Sequence, residues 1–194
     1  MNNKSEIIEP SPSNAESPYD EIAYQRELAE YVINENLAKY TALFVDPEQL
    51  YSMFPPKKPE MQKIKDPHIT VAYKPDANKL LLDSLGSNAA IRIVGYGNDG
   101  QNEGLLVEVV AEDPAIQKAL DERVALDRKT GETKRVPTHI TLSIAEGAKA
   151  VDTMNLAFKP LEEPIEIKGT YGFFGKDGDI IYDKKKIDEM KLHN

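Results

Sequence analysis

The segment VPTHITLSI (residues 136–144) carries the pattern that predicts the fold of this chain. Its polar and apolar residues alternate with the two-residue period of a β-strand, and it repeats a pattern found 71 positions earlier, in PHITVAY (67–73). The chain has only three histidines, and two of them begin the same tripeptide, His-Ile-Thr. We therefore predict that both segments are β-strands at equivalent places of an internal repeat.

The residues around the two tripeptides follow one order of elements. Each copy has an apolar strand, an Asp-Pro helix start, a helix, a basic loop, the His-Ile-Thr strand, a helical piece and a last strand. Asp46 and Asp113 are the predicted N-caps, each with proline in the first turn. The copies cover about 40–97 and 105–172. The repeat predicts an α+β fold built from two β-α-β-α-β halves related by an approximate two-fold axis.

The rest of the chain indicates one domain with a flexible start. Residues 1–18 contain three prolines among Ser, Asn and Glu and are predicted to be disordered. The apolar spacing that follows predicts an amphipathic helix over about 20–37. Residues 19–194 are long enough to form a single domain with its own core. The pair Asp177-Gly178 predicts the turn of a final hairpin.

Composition restricts the classes of function. The net charge of −9 disfavours a long nucleic acid as main partner, because phosphate neutralisation requires a basic surface. The chain has no cysteine, which excludes disulfides and thiolate metal sites, and a cytoplasmic location is expected. No apolar run approaches the ~20 residues of a membrane span, so no membrane association is expected.

Two basic loops contrast with the negative net charge. KKPEMQKIK (57–65) and RKTGETKR (128–135) each contain four basic residues and one glutamate, a net charge of +3, and each precedes a His-Ile-Thr strand. An anion attracted to either loop would arrive beside a histidine. This distribution is compatible with a small phosphorylated ligand.

The geometry of a strand determines which side chains project together. Residues i and i+2 share a face, so His68 projects with Thr70 and His139 with Thr141, while the intervening isoleucines point into the core. If the two-fold axis joins the strands, two imidazoles and two hydroxyls meet at one cleft. One imidazole can then accept a proton while the other donates one, and the hydroxyls can hold phosphoryl oxygens. A single His-x-Thr is usually structural, but the paired copies favour phosphodiester chemistry.

Other residues have two possible roles. Tyr40 begins the first strand of the repeat, and Glu166, Tyr171, Phe173 and Phe174 lie on or after its last strand. Each either packs as an ordinary strand residue or reaches the cleft. The sequence has no HExxH, no EF-hand loop and no histidine pair at helical spacing, so we predict neither a metal nor a cofactor.

The paired His-x-Thr motifs resemble the signature of the two-histidine (2H) phosphoesterase superfamily. The resemblance rests on PHITVAY and PTHITLSI and extends with the repeat over about 40–175. It implies a bilobal fold, in which two pseudo-two-fold related lobes have antiparallel sheets flanked by helices and enclose a central cleft. It also implies catalytic roles for the two histidines and the two threonines.

Within that superfamily the compact, acidic chain is most similar to bacteriophage nucleases that degrade the cyclic-nucleotide signals of CBASS immunity. The similarity implies that Tyr40, Glu166 and Tyr171 help to bind nucleobases and that the protein acts in the cytoplasm of a host cell. The chain has no tryptophan, so a tryptophan that stacks on a base in the family would have to be replaced.

Three functions follow from these features. The first is a metal-independent phosphodiesterase that cleaves the 3′-5′ bonds of cyclic di- or trinucleotides. The second is a 2′,3′-cyclic phosphodiesterase that acts on RNA ends or on small cyclic phosphates, with water as the nucleophile. The third is a non-catalytic binder of cyclic nucleotides. The repeat makes the two histidines equivalent, so base and acid are not assigned, and neither is an oligomeric state.

Overall fold

The computed structural model describes residues 17–193, which form four α-helices, three 3₁₀ turns and ten β-strands. The helices are α1 (Pro18–Asn34), α2 (Pro47–Met53), α3 (Pro114–Asp121) and α4 (Lys184–Leu192). The strands are β1 (Tyr40–Val45), β2 (Gln62–Lys63), β3 (His68–Tyr73), β4 (Asn88–Asn98), β5 (Asn102–Ala111), β6 (Val124–Leu126), β7 (Thr133–Arg135), β8 (His139–Ile144), β9 (Lys159–Phe174) and β10 (Ile180–Ile181). The predicted α+β class is confirmed, with an antiparallel sheet flanked by helices.

The main sheet has a symmetric strand order. Its path runs β2-β8-β5-β4-β9-β1-β3, with β10 added on β9, and β6 and β7 form a separate hairpin. On one side lie β3, β1 and β9, and on the other lie β8, β5 and β4 in the mirrored order. The last strand of each repeat pairs with the first strand of the other repeat, because β4 pairs with β5 and β9 with β1. The two halves share one sheet, since β4 and β9 also pair with each other.

One face of this sheet carries the hydrophobic core. Alternate strand residues are buried there, among them Ile69, Ile91, Ile140, Tyr171 and Phe173. All four helices contribute to the same cluster, through Leu28, Val32, Leu50, Ile116, Leu120 and Ile187. The helices therefore cover the core face of the sheet. The two His-x-Thr pairs lie on the opposite face.

Both repeats start their first helix as predicted. The Asp46 side chain accepts a hydrogen bond from the Glu48 amide at 3.0 Å, and the Asp113 side chain accepts one from the Ala115 amide at 2.8 Å. Each aspartate thereby satisfies one of the amides that a helix start leaves without an intrahelical partner. Proline follows each aspartate at the first helical position, where its missing N–H costs nothing.

The start of the chain differs from prediction at both helix ends. Residues 1–16 of the segment predicted to be disordered lie outside the described residues. Pro18 is not disordered but begins α1, two residues before the predicted start, since proline is well suited to a first helical turn. The helix ends at Asn34 and not at 37, because Asn36 adopts a left-handed backbone with φ of 52° and the Leu37 amide bonds back to the Val32 carbonyl at 2.9 Å.

The structure differs from prediction in the helical pieces after the His-Ile-Thr strands and at residues 124–126, and it confirms one predicted turn. The pieces predicted as helical after the His-Ile-Thr strands are 3₁₀ turns, at Ala77–Lys79, Leu82–Ser84 and Ala150–Asn155. The pattern AIQKALDERVAL (115–126) predicts a helix after Asp113-Pro114, but α3 ends at Asp121 and residues 124–126 form β6. The predicted turn at Asp177-Gly178 is present, with Gly178 at φ of 81°.

Among the described residues, no helix has the length and apolar character needed to cross a bilayer.

Candidate active site

The curvature of the sheet brings the two His-Ile-Thr strands together. Four strands separate β3 from β8 along the sheet, yet Cα atoms of these two strands lie within 8 Å of each other. Helix α3 packs against β3. The hydroxyl of Tyr51, on α2, donates a hydrogen bond to the Leu142 carbonyl of β8 at 2.7 Å. Each repeat therefore supports the histidine strand of the other.

The predicted alternation on both strands is confirmed. Ile69 and Ile140 are 1% and 0% exposed and belong to one core, whereas the flanking histidines and threonines are half-buried on the opposite face. Across β1, Phe44 is opposite His68 and Ala42 is opposite Thr70. Directly opposite residues of an antiparallel pair share a face, so these residues form the immediate surface beside the first motif.

Both imidazoles are held by the same hydrogen bond. Nδ1 of His68 lies 2.8 Å from the Asp66 carbonyl, and Nδ1 of His139 lies 2.6 Å from the Pro137 carbonyl. A carbonyl oxygen only accepts, so each Nδ1 must carry a proton and donate it. The neutral tautomer is thereby fixed with a lone pair on Nε2. The two histidines are equivalent in this respect, and Nε2 is the reactive nitrogen of each.

The environment of both histidines favours the neutral form. Burial lowers the pKa of His139 to about 4, against the opposing effect of the Pro137 carbonyl, and the charges of Arg123 and His68 lower it further. Burial also lowers the pKa of His68, with the Asp66 carbonyl opposing it and the Arg123 charge acting in the same direction. The effect of the His68 charge on His139 agrees with the approach of β3 and β8.

Thr141 is connected to two buried residues that the sequence did not indicate. Its Oγ1 lies 2.9 Å from Thr153 Oγ1, and Asn102 Nδ2 donates to Thr153 Oγ1 at 3.1 Å. The Asn102 amide also donates to the Lys149 carbonyl at 2.8 Å, which fixes this segment against β5. Either threonine hydroxyl can donate to the other at that distance. When Thr153 donates, the hydroxyl proton of Thr141 is available to a ligand.

An aromatic stack surrounds His68. The Tyr40 ring stacks on His68 with 4.7 Å between centroids and on Phe174 with 4.8 Å, and Phe44 contacts the imidazole at 5.5 Å. Because His68 and Phe174 both lie nearly parallel to Tyr40 without a ring contact between them, we infer that they cover its two faces. Tyr40 therefore packs against the His68 imidazole, and in this arrangement neither face of its ring is free for a nucleobase.

Tyr171 lies in the core and not at the site, which corrects its predicted role as a substrate contact. It is 0% exposed, and its hydroxyl donates to the Leu80 carbonyl at 2.8 Å. Phe173, also 0% exposed, contacts it edge to face with 6.1 Å between centroids. The reason is the alternation of β9, which places residues 171 and 173 on the core face with Ile167. The aromatic residue that reaches the site from β9 is Phe174.

Replacement of Tyr171 tests this correction. Tyr171→Phe keeps the ring but leaves the buried Leu80 carbonyl without its donor, so we expect the free energy of unfolding to fall by about 1–3 kcal/mol. Chemical denaturation measures this loss. Ligand binding by the folded variant should equal that of wild type; weaker binding with unchanged stability would restore Tyr171 as a contact residue.

Glu166 lies on the same face of the sheet as His68 but is displaced from it along the strand direction. It is exposed on β9, four residues from Thr170, which is opposite Phe44 on β1. Four residues of strand correspond to about 13 Å. Glu166 therefore borders the open part of this face, and its contact with a nucleobase stays a prediction.

The basic loops are partly neutralised by the protein itself. Lys134 lies 2.8 Å from Asp127, and Arg128 lies 3.5 Å from Asp152. The hydrogen bonds of Asp127 with Lys134 and the Lys129 amide lower its pKa to about 2, so it remains charged. In the other loop, Lys57 lies 4.0 Å from the centroid of the Tyr96 ring. These contacts order the loops and leave fewer cations for a ligand than the sequence alone indicates.

No group of three or more His, Cys, Asp or Glu side chains in residues 17–193 is arranged to hold a metal ion. Metal independence itself stays a prediction.

No known protein-family model matches the chain, and no curated protein shows significant similarity to it.

Proposed function

We propose that this protein is a phosphodiesterase that uses two histidines as acid and base and needs no metal. The observation that carries this proposal is the matched pair of imidazoles. Each donates from Nδ1 to a backbone carbonyl two residues upstream, and each leaves Nε2 for proton transfer at the meeting point of β3 and β8. A purely structural histidine has no need for this duplicated tautomer control.

The same arrangement supports a two-step reaction on a ribonucleotide. One neutral imidazole accepts the proton of a ribose 2′-hydroxyl at Nε2 while the 2′ oxygen bonds to phosphorus. The P–O5′ bond breaks, and the second, protonated imidazole gives its Nε2 proton to O5′. The products are a 2′,3′-cyclic phosphate and a 5′-hydroxyl. Water then adds to the phosphorus with the proton transfers reversed, and the P–O2′ bond opens.

The threonine hydroxyls are the proposed holders of phosphoryl oxygen. Thr70 and Thr141 share the faces of His68 and His139, one pleat along each strand. A hydroxyl that donates to a phosphoryl oxygen stabilises the charge that develops there in the transition state. The link from Asn102 through Thr153 to Thr141 supports this role, because it fixes the orientation of that hydroxyl oxygen.

A small cyclic oligonucleotide is the proposed substrate class. The net charge of −9 disfavours a long polyanion, while the Arg123 charge acts directly on both histidines. The symmetric strand order and the meeting of β3 with β8 are compatible with the bilobal two-histidine phosphoesterase architecture and its central cleft. We propose that architecture, and with it the relationship to phage nucleases that act on cyclic-nucleotide immune signals in the host cytoplasm.

A panel of phosphodiesters, analysed by mass spectrometry, tests the proposal. It contains cyclic di- and trinucleotides, RNA ends with a 2′,3′-cyclic phosphate, and an all-deoxy cyclic dinucleotide. We expect cleavage of ribose-containing cyclic oligonucleotides, with a transient 2′,3′-cyclic phosphate product and full activity in EDTA. Efficient turnover of the all-deoxy compound would exclude attack by a 2′-hydroxyl, and loss of activity in EDTA would exclude the metal-free mechanism.

The other two functions give distinct results on the same panel. Turnover confined to 2′,3′-cyclic phosphate ends identifies the second function, with water as the only nucleophile. Binding of a cyclic nucleotide without turnover of any phosphodiester identifies the non-catalytic binder.

A further inference from the structure

Arg123 brings a positive charge to the meeting point of the two histidine strands. It follows α3, and its backbone carbonyl accepts a hydrogen bond from the Val136 amide at 3.0 Å, which fixes its position just ahead of β8. Arg123 borders a small recess with two threonines and three apolar residues, namely Thr70, Thr138, Ile69, Leu120 and Val136. Its charge lowers the pKa of both His68 and His139. One guanidinium is thus close to both motifs.

This guanidinium has no counter-charge among residues 17–193. No carboxylate of the described chain forms an ion pair with it, and no side-chain or backbone acceptor hydrogen-bonds to it. Arg92 and Arg128, by contrast, lie 3.7 and 3.5 Å from carboxylate oxygens of Glu108 and Asp152. Arg123 is also half-buried, and burial lowers its pKa.

An unpaired, half-buried arginine is unfavourable for the isolated protein. Desolvation of a charge costs free energy unless a partner compensates for it. Arginine offers five N–H donors in a planar fork that fits two oxygens of a phosphate. A bound anion would supply the missing partner beside Thr70, where β3 and β8 approach each other. The unpaired state therefore indicates a binding residue and not a structural one.

We propose that Arg123 is a substrate-binding residue that holds the non-bridging oxygens of the phosphodiester between His68 and His139. This inference rests on the proposed function and identifies a fifth residue of its site. No sequence pattern indicates this role, because Arg123 lies outside both basic runs and has no counterpart in a recognisable motif.

The same charge has a second effect, on the protonation of the imidazoles. The charged and titratable groups near His68 are Arg123, Asp66, Tyr40 and His139, and those near His139 are Arg123 and His68. In the free protein burial favours the neutral form of both imidazoles, and the Arg123 charge adds to that effect. A bound phosphodiester adds a negative charge and offsets that of Arg123, so it favours protonation of one imidazole. Substrate binding thereby prepares the acid that the reaction requires.

Binding of inorganic phosphate tests the proposal without requiring turnover. The variants are Arg123→Gln, Arg123→Lys and, as the control, Arg26→Gln, because Arg26 is exposed on α1 and lies outside both basic loops. Loss of a charge-assisted contact should weaken phosphate binding about 10- to 100-fold in Arg123→Gln. Arg123→Lys should lose less, and Arg26→Gln should bind like wild type. Equal binding by wild type and Arg123→Gln would overturn the proposal.

Titration of the histidines, followed by the NMR signals of their ring protons, gives the second measurement. Removal of the Arg123 charge should raise the pKa of both imidazoles, and phosphate should raise them in wild type but not in Arg123→Gln. With an active enzyme, kcat/KM of wild type should already decline with rising pH below pH 6.5, because the acid histidine must be protonated and both pKa values lie below the ordinary ~6.5 of histidine. Arg123→Gln should move this decline to higher pH. Unchanged titration in the variant would contradict the assigned position.

Stability separates binding from a structural role. Because Arg123 has no partner in the described chain, Arg123→Met should leave the melting temperature unchanged or raise it. A lower melting temperature would show that the side chain supports the fold, which contradicts the proposal. If no phosphodiester is turned over while phosphate binding still depends on Arg123, the anion site stands and the catalytic function fails.

Discussion

Replacement of His139 by asparagine is expected to lower kcat about 10²- to 10⁴-fold, the usual contribution of a general acid or base. The asparagine side-chain amide can still donate to the Pro137 carbonyl, as Nδ1 of His139 does at 2.6 Å. It has no atom in the place of Nε2. The variant therefore keeps the backbone anchor and loses only proton transfer. We expect the same loss for His68→Asn, because the Asp66 carbonyl plays the matching role.

Steady-state kinetics on the preferred cyclic nucleotide measure this effect, and His193→Asn is the control. His193 is exposed at the end of α4, remote in sequence from both motifs, and its replacement should not change kcat. Binding of the substrate to both active-site variants should persist. If either variant turned over at more than a third of the wild-type rate, that histidine would not be a proton-transfer group.

Replacement of Ile140 by alanine should produce the largest loss of stability. Ile140 is 0% exposed, lies between His139 and Thr141, and points into the core from β8. Removal of its branched side chain leaves a cavity, so the free energy of unfolding should fall by about 2–5 kcal/mol. The smaller change Ile140→Val should cost about 0.5–1.5 kcal/mol.

Denaturant unfolding with two probes measures these losses. Val124→Ala is the control, because Val124 is 58% exposed on β6 and its truncation should change stability by less than about 0.5 kcal/mol. An Ile140→Ala variant as stable as Val124→Ala would mean that β8 is not anchored in the core. The position of His139 and Thr141 would then need another explanation.

Much of the candidate site could be predicted from the sequence because strand alternation is a local rule. The polar-apolar pattern of the two His-Ile-Thr segments is sufficient to place histidine and threonine on one face and isoleucine on the other. The Asp-Pro pairs similarly predict helix starts, since the capping hydrogen bond joins neighbouring residues. Such features need no knowledge of the rest of the fold.

The core position of Tyr171 also follows from strand alternation, applied along β9. Ile165, Ile167, Gly169, Tyr171 and Phe173 follow one another at a spacing of two, and the apolar isoleucines mark that set as the core face of β9. Counting from Ile167 places Tyr171 in the core and selects Phe174 for the site.

Arg123, Asn102 and Thr153 could not have been predicted from sequence patterns. Thr153 contacts Thr141, Asn102 contacts Thr153, and Arg123 borders a recess with Thr70, and no local spacing specifies these arrangements. Asn102 and Thr153, for example, are 51 positions apart yet lie 3.1 Å apart through a hydrogen bond. Such residues can be identified only from the three-dimensional structure, in which the curved sheet brings separate elements together.

The exchange of last strands between the repeats makes each half of the chain an incomplete folding unit. The first half alone has β1 and β3 without β9, and the second has β5 and β8 without β4. A fragment of either half would expose a strand edge with unpaired backbone groups. The two fragments, expressed separately, would complete one another only by associating.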